Sequence, residues 1–398
     1  MRNRVPRKVV MKSFFSRWFS KTEEVPPLPP GVYQCQAAPD APVPYRLHLR
    51  IESDGTGVLI INAATLLHLN PTAAAYALQI VQGAGANEAA SAIADRYRVS
   101  RWRARRDYEE LRARILSLAT NPDLDPTLYL GIDRAEPLSK APSAPYRIDL
   151  ALTYALDPDG KLDPLARKRV DRELTTEEWT TILSKAWDAG IPHVTFTGGE
   201  PTRRADLVDL VTFAEELGQV TGLLTQGGRL ADQAYMERLS NAGLDHLLIV
   251  LRPEVADNLQ GIQNAVASEV FTAVHLTLTG KLASQAAEWL QKLRDIGVGA
   301  VSLSVVEASE EAKQLLERTR QRAAELGLSL VWDLPVPYCD LNPIHLELES
   351  PPERAGSASL YVEPDGDVLP AQGVDRILGN LLRDEWNTIW AEAQGQQG

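Results

Sequence analysis

The chain is poor in cysteine: its 398 residues hold two, Cys35 and Cys339. Two thiols so far apart exclude a disulfide framework, a zinc ribbon and any iron–sulfur cluster ligated by several cysteines of this chain alone. Aromatic residues make up 6% of the chain and are not interleaved with basic stripes, which argues against a single-strand nucleic-acid binder. No apolar run reaches the roughly 18 residues that a membrane span needs. The six histidines (His48, His68, His193, His246, His275 and His345) show no paired metal spacing and read as strand or surface residues. There is no nucleophile elbow, no P-loop and no dinucleotide fingerprint. Asp157, Asp159 and Asp163 lack the carboxylate at the twelfth position of a calcium loop, where Lys168 stands, so they read as a turn and no metal is expected.

What is present is acidic. The net charge is -12, although residues 1–21 carry seven basic side chains and no acid. A body this acidic is a poor partner for nucleic acid, and none is expected. Residues 1–27 read as a basic tail, with Met11 as an alternative start; Phe14, Phe15, Trp18 and Phe19 offer too little apolar area for the tail to be expected on a membrane. With no secretory signal, the expectation is a cytoplasmic protein.

Five segments follow from pattern: the tail over 1–27, a small α+β domain over 28–119, a Pro- and Asp-rich linker over 120–145, a repeating β/α region over 146–336 and an extension over 337–398. In the small domain, Leu47, Leu49 and Ile51 alternate with polar residues and turn through Asp54-Gly55 into Val58–Ile61. Asn70-Pro71 opens the first of three helices, predicted over 71–82, 87–97 and 100–118. A hairpin with three helices is a winged-helix pattern. It suits either a peptide added along the hairpin edge or, on the strength of Arg96, Arg98, Arg101, Arg103, Arg105 and Arg106, duplex DNA.

Beyond residue 146, strands are predicted at 146–156, 193–197, 221–225, 246–252, 271–279, 300–306 and 328–334, with an amphipathic helix in each interval. Such repetition means a parallel sheet, doubly wound or closed into a full or partial barrel, with its ligand site at the strand C-termini. Thr197-Gly198-Gly199-Glu200-Pro201 stands at the end of the second strand. Its glycines permit close backbone approach, and its acid suits a ligand carrying an ammonium group. Thr225-Gln226-Gly227-Gly228 occupies the same place on the third strand. Thr277, Thr279, Ser302, Ser304, Glu307 and Asp333 lie at later strand ends, where they either face the site or alternate outward. Leu360–Glu363 and Asp367–Leu369 flank Pro364-Asp365-Gly366 as a hairpin, and a closing helix carries Trp386, Ile389 and Trp390.

Leu152-Thr153-Tyr154, the Thr197–Pro201 turn and Thr225-Gln226-Gly227, followed by Tyr361–Pro370 and Leu378-Gly379-Asn380-Leu381, together resemble a radical SAM enzyme with a SPASM-type extension. Residues 28–119 are similar to PqqD-like peptide-recognition domains. The resemblance implies a partial (β/α)6 barrel, preceded by a small winged-helix domain and followed by a hairpin–helix extension. It implies S-adenosylmethionine bound through Gly198, Gly199, Glu200, Pro201, Thr225 and Gln226, and a precursor or leader peptide as partner. It also implies a [4Fe–4S] cluster, held by three cysteines in the loop after the first strand. That loop, Ala155–Glu173, contains neither Cys nor His; Ala371 stands where the extension commonly has Cys, and Leu251-Arg252-Pro253 replaces a Ser-containing strand end. The resulting expectation is a cluster-free, degenerate relative acting as a peptide-binding scaffold, beside an active radical SAM partner protein. The alternatives are an enzyme using non-radical chemistry at the same mouth and a DNA-binding regulator. No catalytic residue is assigned.

Overall fold

A computed structural model describes residues 25–38, 40–62, 65–121, 124, 129, 142–156, 170, 172–255, 257–268, 270–305, 309–331 and 356–395. The basic tail through residue 24, Asp157, Asp159, Asp163, Glu307, Asp333, Cys339, His345 and most of the linker lie outside them. The chain divides into two units, Met1–Lys140 and Ala141–Gly398.

In the first unit, β1 (Gly31–Gln36), β2 (Arg46–Ile51), β3 (Gly57–Ile61) and β4 (Thr65–Leu69) form one antiparallel sheet in chain order. The single hairpin read from sequence is thus the middle of a four-stranded meander. The flanking strands escaped the pattern because β1 carries Gln34, Cys35 and Gln36 and is only half buried, and β4 is five residues long. The helices are α1 (Pro71–Val81), α2 (Ala86–Tyr97) and α3 (Arg101–Thr120). Asn70 caps α1 by accepting from the Ala73 amide at 2.8 Å, and Pro71 takes the first helical position, where no N–H is needed. Leu47, Leu49, Leu59 and Ile61 bury one sheet face against Ala74, Ala77, Ile93, Tyr108 and Ile115.

In the second unit, β5 (Arg147–Thr153), β6 (His193–Gly198), β7 (Val220–Thr225), β8 (His246–Val250), β9 (Phe271–Thr277), β10 (Ala300–Ser304) and β11 (Ser329–Leu330) run parallel, each beside the one before it. The intervals hold α4 (Thr176–Asp188), α5 (Leu207–Leu217), α6 (Gln233–Asn241), α7 (Asn258–Ala267), the pair α8 (Gly280–Ser284) and α9 (Ala286–Asp295), and α10 (Glu310–Glu325). This is an α/β partial barrel of six β/α units with a short seventh strand.

Alternate residues decide the two faces. Ile148, Leu150, Val194, Phe196, Leu247, Ile249, Val274, Leu276, Val301 and Leu303 pack toward the helices, against side chains such as Trp179, Leu183 and Leu210. The other parity lines the barrel interior: Leu224, Leu248, Val250, Ala273 and Ala300 form an apolar wall. His193, His246, His275, Thr277, Ser302 and Ser304 share that inner parity.

The C-terminal hairpin closes one side. Beside β5 lies β12 (Ser359–Val362), parallel to it, with Tyr361 opposite Asp149. Next come β13 (Asp367–Leu369) and β14 (Gly379–Asn380), both antiparallel. Then α11 (Trp386–Gln394) stacks Trp386 on Trp390 at 5.8 Å, and the Trp390 indole donates to the Pro142 carbonyl at 3.2 Å. Lys185 of α4 donates to the Leu381 carbonyl at 2.6 Å and the Asp384 carbonyl at 3.0 Å, so the hairpin segment and the barrel are one body.

Candidate functional site

The strand C-termini meet in a set of buried polar joints. The Gly199 amide donates to the Thr153 carbonyl at 2.7 Å, and the Glu200 amide to the Ala155 carbonyl at 2.9 Å, so the turn after β6 is stitched to the chain leaving β5. Only glycine permits this. A Cβ at Gly198, where φ is +126°, would stand 2.2 Å from the Thr153 oxygen, and one at Gly199 2.5 Å from the Ala155 oxygen. The close approach that the two glycines allow is therefore between two segments of the protein's own backbone.

Glu200 is 8% exposed and holds the next joint. Its Oε1 accepts from the Thr202 amide at 3.0 Å, the Thr202 hydroxyl at 2.5 Å and the Thr225 hydroxyl at 2.7 Å. Its Oε2 accepts from the Gln226 amide at 2.7 Å. A carboxylate offers about four lone-pair positions over two oxygens, so the capacity left for a ligand N–H lies on Oε2. Pro201 opens a single 3-10 turn through Arg203 and is itself buried. Arg229 donates to the Thr202 carbonyl and lies over the Tyr235 ring at 4.2 Å. Burial, with the charge of Glu200 adding to it, pushes the Tyr235 phenol up to about 12, so this ring stays neutral.

Asn258, fully buried at the start of α7, carries the joint onward. Its Nδ2 donates to the carbonyls of Gln226 at 2.6 Å and Val250 at 2.9 Å, and its Oδ1 accepts from the Arg252 amide at 2.9 Å. On the opposite side, the Tyr154 hydroxyl donates to buried Glu363 at 3.0 Å and lies 3.3 Å from the Tyr361 hydroxyl. Arg204, paired with Asp206 at 2.9 and 2.7 Å, donates to the carbonyls of Leu152 at 3.3 Å and Leu174 at 3.1 Å behind the turn.

The structure thus brings Gly198, Gly199, Glu200, Pro201, Thr225 and Gln226 together at one place. Thr277, Ser302 and Ser304 lie on the inner wall farther around the sheet, with His275, and Thr279 precedes α8. Arg252 pairs outward with Glu254 at 3.0 Å. Asn258, Arg204 and Glu363 escaped the sequence reading, because each works through carbonyls or tyrosines distant in sequence. Thr202, two residues past the acid, was within its reach. Among the described residues, no group of three or more His, Cys, Asp or Glu is placed to hold a metal ion.

A family model described as the radical SAM superfamily matches residues 157–251. The PqqA peptide cyclase of Rhizobium meliloti is 27% identical over 290 residues, which cover 65% of this chain and 74% of the relative. That of Bradyrhizobium diazoefficiens is 40% identical over 106 residues, 26% of this chain and 28% of the relative. Among solved structures, SuiB of Streptococcus suis bound to the precursor peptide SuiA superposes with a TM-score of 0.55 at 16% identity, over 86% of both chains, and so shares the fold.

These relatives correct the functional expectation. The sequence relatives are named as a peptide cyclase, an enzyme, which overturns the degenerate scaffold. The non-radical alternative falls with the same correction, and so does the DNA-binding regulator. Of the arginines that suggested it, Arg105 of α3 pairs with Glu109 at 2.9 Å, and Arg103 and Arg106 pair with Asp107 at 3.7 and 3.3 Å, which leaves little net field. Matched segment, relatives and fold together support the radical SAM maturase family.

Proposed function

We propose that this chain is a peptide-maturing enzyme that takes S-adenosylmethionine at the C-terminal mouth of its barrel and a precursor peptide as its substrate. The observation that carries this reading is Glu200: a buried carboxylate at a strand end, held by four donors, with acceptor capacity left on Oε2. A ligand ammonium group satisfies that capacity. Gly198, Gly199 and Pro201 fix the carboxylate in place, and Thr225 and Gln226 orient it from β7. When bound, S-adenosylmethionine supplies a sulfonium group whose carbon–sulfur bond is open to cleavage.

The [4Fe–4S] cluster that the family implies does not fit this chain's residues. Three thiolates exceed the two cysteines of the sequence, and Cys35, on β1 of the first unit, has its thiol pushed up by burial and away from the thiolate form.

The first unit is read as a PqqD-like holder of the precursor. Among the described residues its sheet ends at β1, an edge suited to adding a peptide strand. No helix among the described residues is long and apolar enough to cross a membrane, and we read the protein as cytoplasmic. Peptides translated from short reading frames beside the gene, incubated with the full chain and S-adenosylmethionine, test the reading by mass spectrometry. A changed mass in one of them supports it; binding and mass change by none of them sinks it.

A further inference from the structure

The geometry points to a second recognition element on the inner wall of the barrel: the hydroxyl of Thr277 and that of Ser304, the latter held by His275, form a subsite for a neutral amide group of the bound substrate. The assignment rests on the proposed peptide substrate and deepens it.

Thr277 and Ser304 are the last residues of neighbouring strands, at the mouth, and stand opposite one another in the β9–β10 register. They share the inner face, because Val274, Leu276, Val301 and Leu303 take the outer one. Ser304 is not idle: its hydroxyl lies 2.9 Å from His275 Nε2, and His275 Nδ1 lies 3.0 Å from the Ser302 hydroxyl. His275 itself is wholly buried. Thr277 is different. At 2% exposure its hydroxyl has no hydrogen-bond partner among the described residues, an arrangement proteins avoid unless something else satisfies the group.

The hydrogen-bond inventory then selects the ligand. A neutral imidazole donates from one nitrogen and accepts at the other. If Nε2 accepts from Ser304, that oxygen keeps its lone pairs for a ligand donor; if Nε2 donates, Ser304 keeps its proton for a ligand acceptor. The first tautomer leaves Ser304 only as an acceptor and the second leaves it a proton to donate; in either case the Thr277 hydroxyl supplies the complementary role. Two adjacent hydroxyls with opposite roles match an amide, which presents one carbonyl and one N–H. The flanking wall is Val250, Leu248, Ala273 and Ala300, which is apolar and offers no counter-charge to a carboxylate or an ammonium group. Burial holds His275 at about 4, so it stays neutral and does not supply that charge either. The same property, with serine hydroxyls and no carboxylate among the described residues on the ring nitrogens, makes His275 a positioning residue and not a general base.

The test uses the full chain with ¹⁵N-labelled histidine, the His275 ring signals being assigned from His275→Gln. Propionamide is the probe, with propionate and 2-butanone as controls of similar shape. Propionamide is expected to shift the His275 ring nitrogens saturably. Thr277→Val, which keeps the shape and removes the hydroxyl, is expected to weaken this about fivefold, as for one lost hydrogen bond, while Thr277→Ser stays within about twofold of wild type. Absence of a saturable shift, tighter binding of propionate or 2-butanone than of propionamide, or an unchanged affinity in Thr277→Val would overturn the assignment. If Thr277→Val does not fold, Ser304→Ala takes its place with the same expected weakening. The propionamide readout involves neither S-adenosylmethionine nor a precursor, so its failure is separable from failure of the proposed function.

Discussion

The Thr225 hydroxyl donates to Glu200 Oε1 at 2.7 Å while the Gln226 amide donates to Oε2 at 2.7 Å, so the ends of β6 and β7 are joined through one carboxylate. That joint makes Glu200 both a structural element and the candidate ligand acceptor, and the two roles separate by mutation. Glu200→Ala strands the donors of Thr225, Gln226 and Thr202 and is expected to cost about 2–4 kcal/mol in urea unfolding. Glu200→Asp keeps the charge but withdraws it by one methylene; it is expected to retain more stability than Glu200→Ala and still lose ligand affinity in calorimetry.

Gly199→Ala tests the stitch beneath that joint. The added Cβ would stand 2.5 Å from the Ala155 oxygen and 2.8 Å from the Tyr154 carbonyl carbon, both backbone atoms unable to swing aside. The segments after β5 and β6 must part, with an expected cost of about 1–3 kcal/mol. Hydrogen exchange at the Gly199 and Glu200 amides reads it directly: faster exchange at both is expected, and unchanged protection contradicts the stitch.

Asn258 gives a sharper contrast. Its Nδ2 satisfies two carbonyls while its Oδ1 takes the Arg252 amide. Asn258→Asp puts a carboxylate oxygen where two carbonyls need a donor, and burial adds the cost of a charge. The Asp variant is expected to be less stable than Asn258→Ala at pH 7, with Ala itself costing about 1–3 kcal/mol. Equal stabilities would remove Asn258 from the set of joints.

Acid lability follows from two buried histidines. Burial, with the charge of Arg147 adding to it, lowers His246 to about 4, and burial alone lowers His275 to about 4, against 6.5 for each when unfolded. The unfolded chain therefore binds more protons between these values. Stability contributed by the neutral rings is fully present above pH 6.5 and is lost as pH falls from 6.5 toward 4, on the order of 3 kcal/mol per histidine. His246 lies 3.2 Å from His193, Nε2 to Nε2, so the two rings share one hydrogen bond at the barrel floor. His246→Gln is expected to flatten the pH dependence of urea midpoints between pH 6.5 and 4. A slope equal to that of wild type contradicts the assignment.

Much of the barrel was legible because its signals are local. Apolar alternation marked each strand, and a glycine is a local stop for a helix: Gly218, at φ +94°, closes α5. The Thr197–Pro201 turn was legible for the same reason, as five consecutive residues at a strand end. What sequence did not carry was register. Thr277, Ser302 and Ser304 were equally compatible with facing inward or outward, and His275 read as an ordinary strand residue until pairing set it beside two serines. The union of β12 with β5 was likewise invisible, since Tyr361 and Asp149 are brought together only by the closed sheet. The functional expectation failed for a different reason. Cysteine content is a property of the whole chain, whereas the mouth of the barrel is built from carbonyls, hydroxyls and one carboxylate.

The most direct measurement is a calorimetric titration of S-adenosylmethionine into the full wild-type chain and into Glu200→Asp. Saturable binding to wild type, weakened at least about tenfold by withdrawing the carboxylate, is the predicted result. No binding to wild type, or equal binding to both proteins, would contradict the assignment of Glu200 and the barrel mouth as the ligand site.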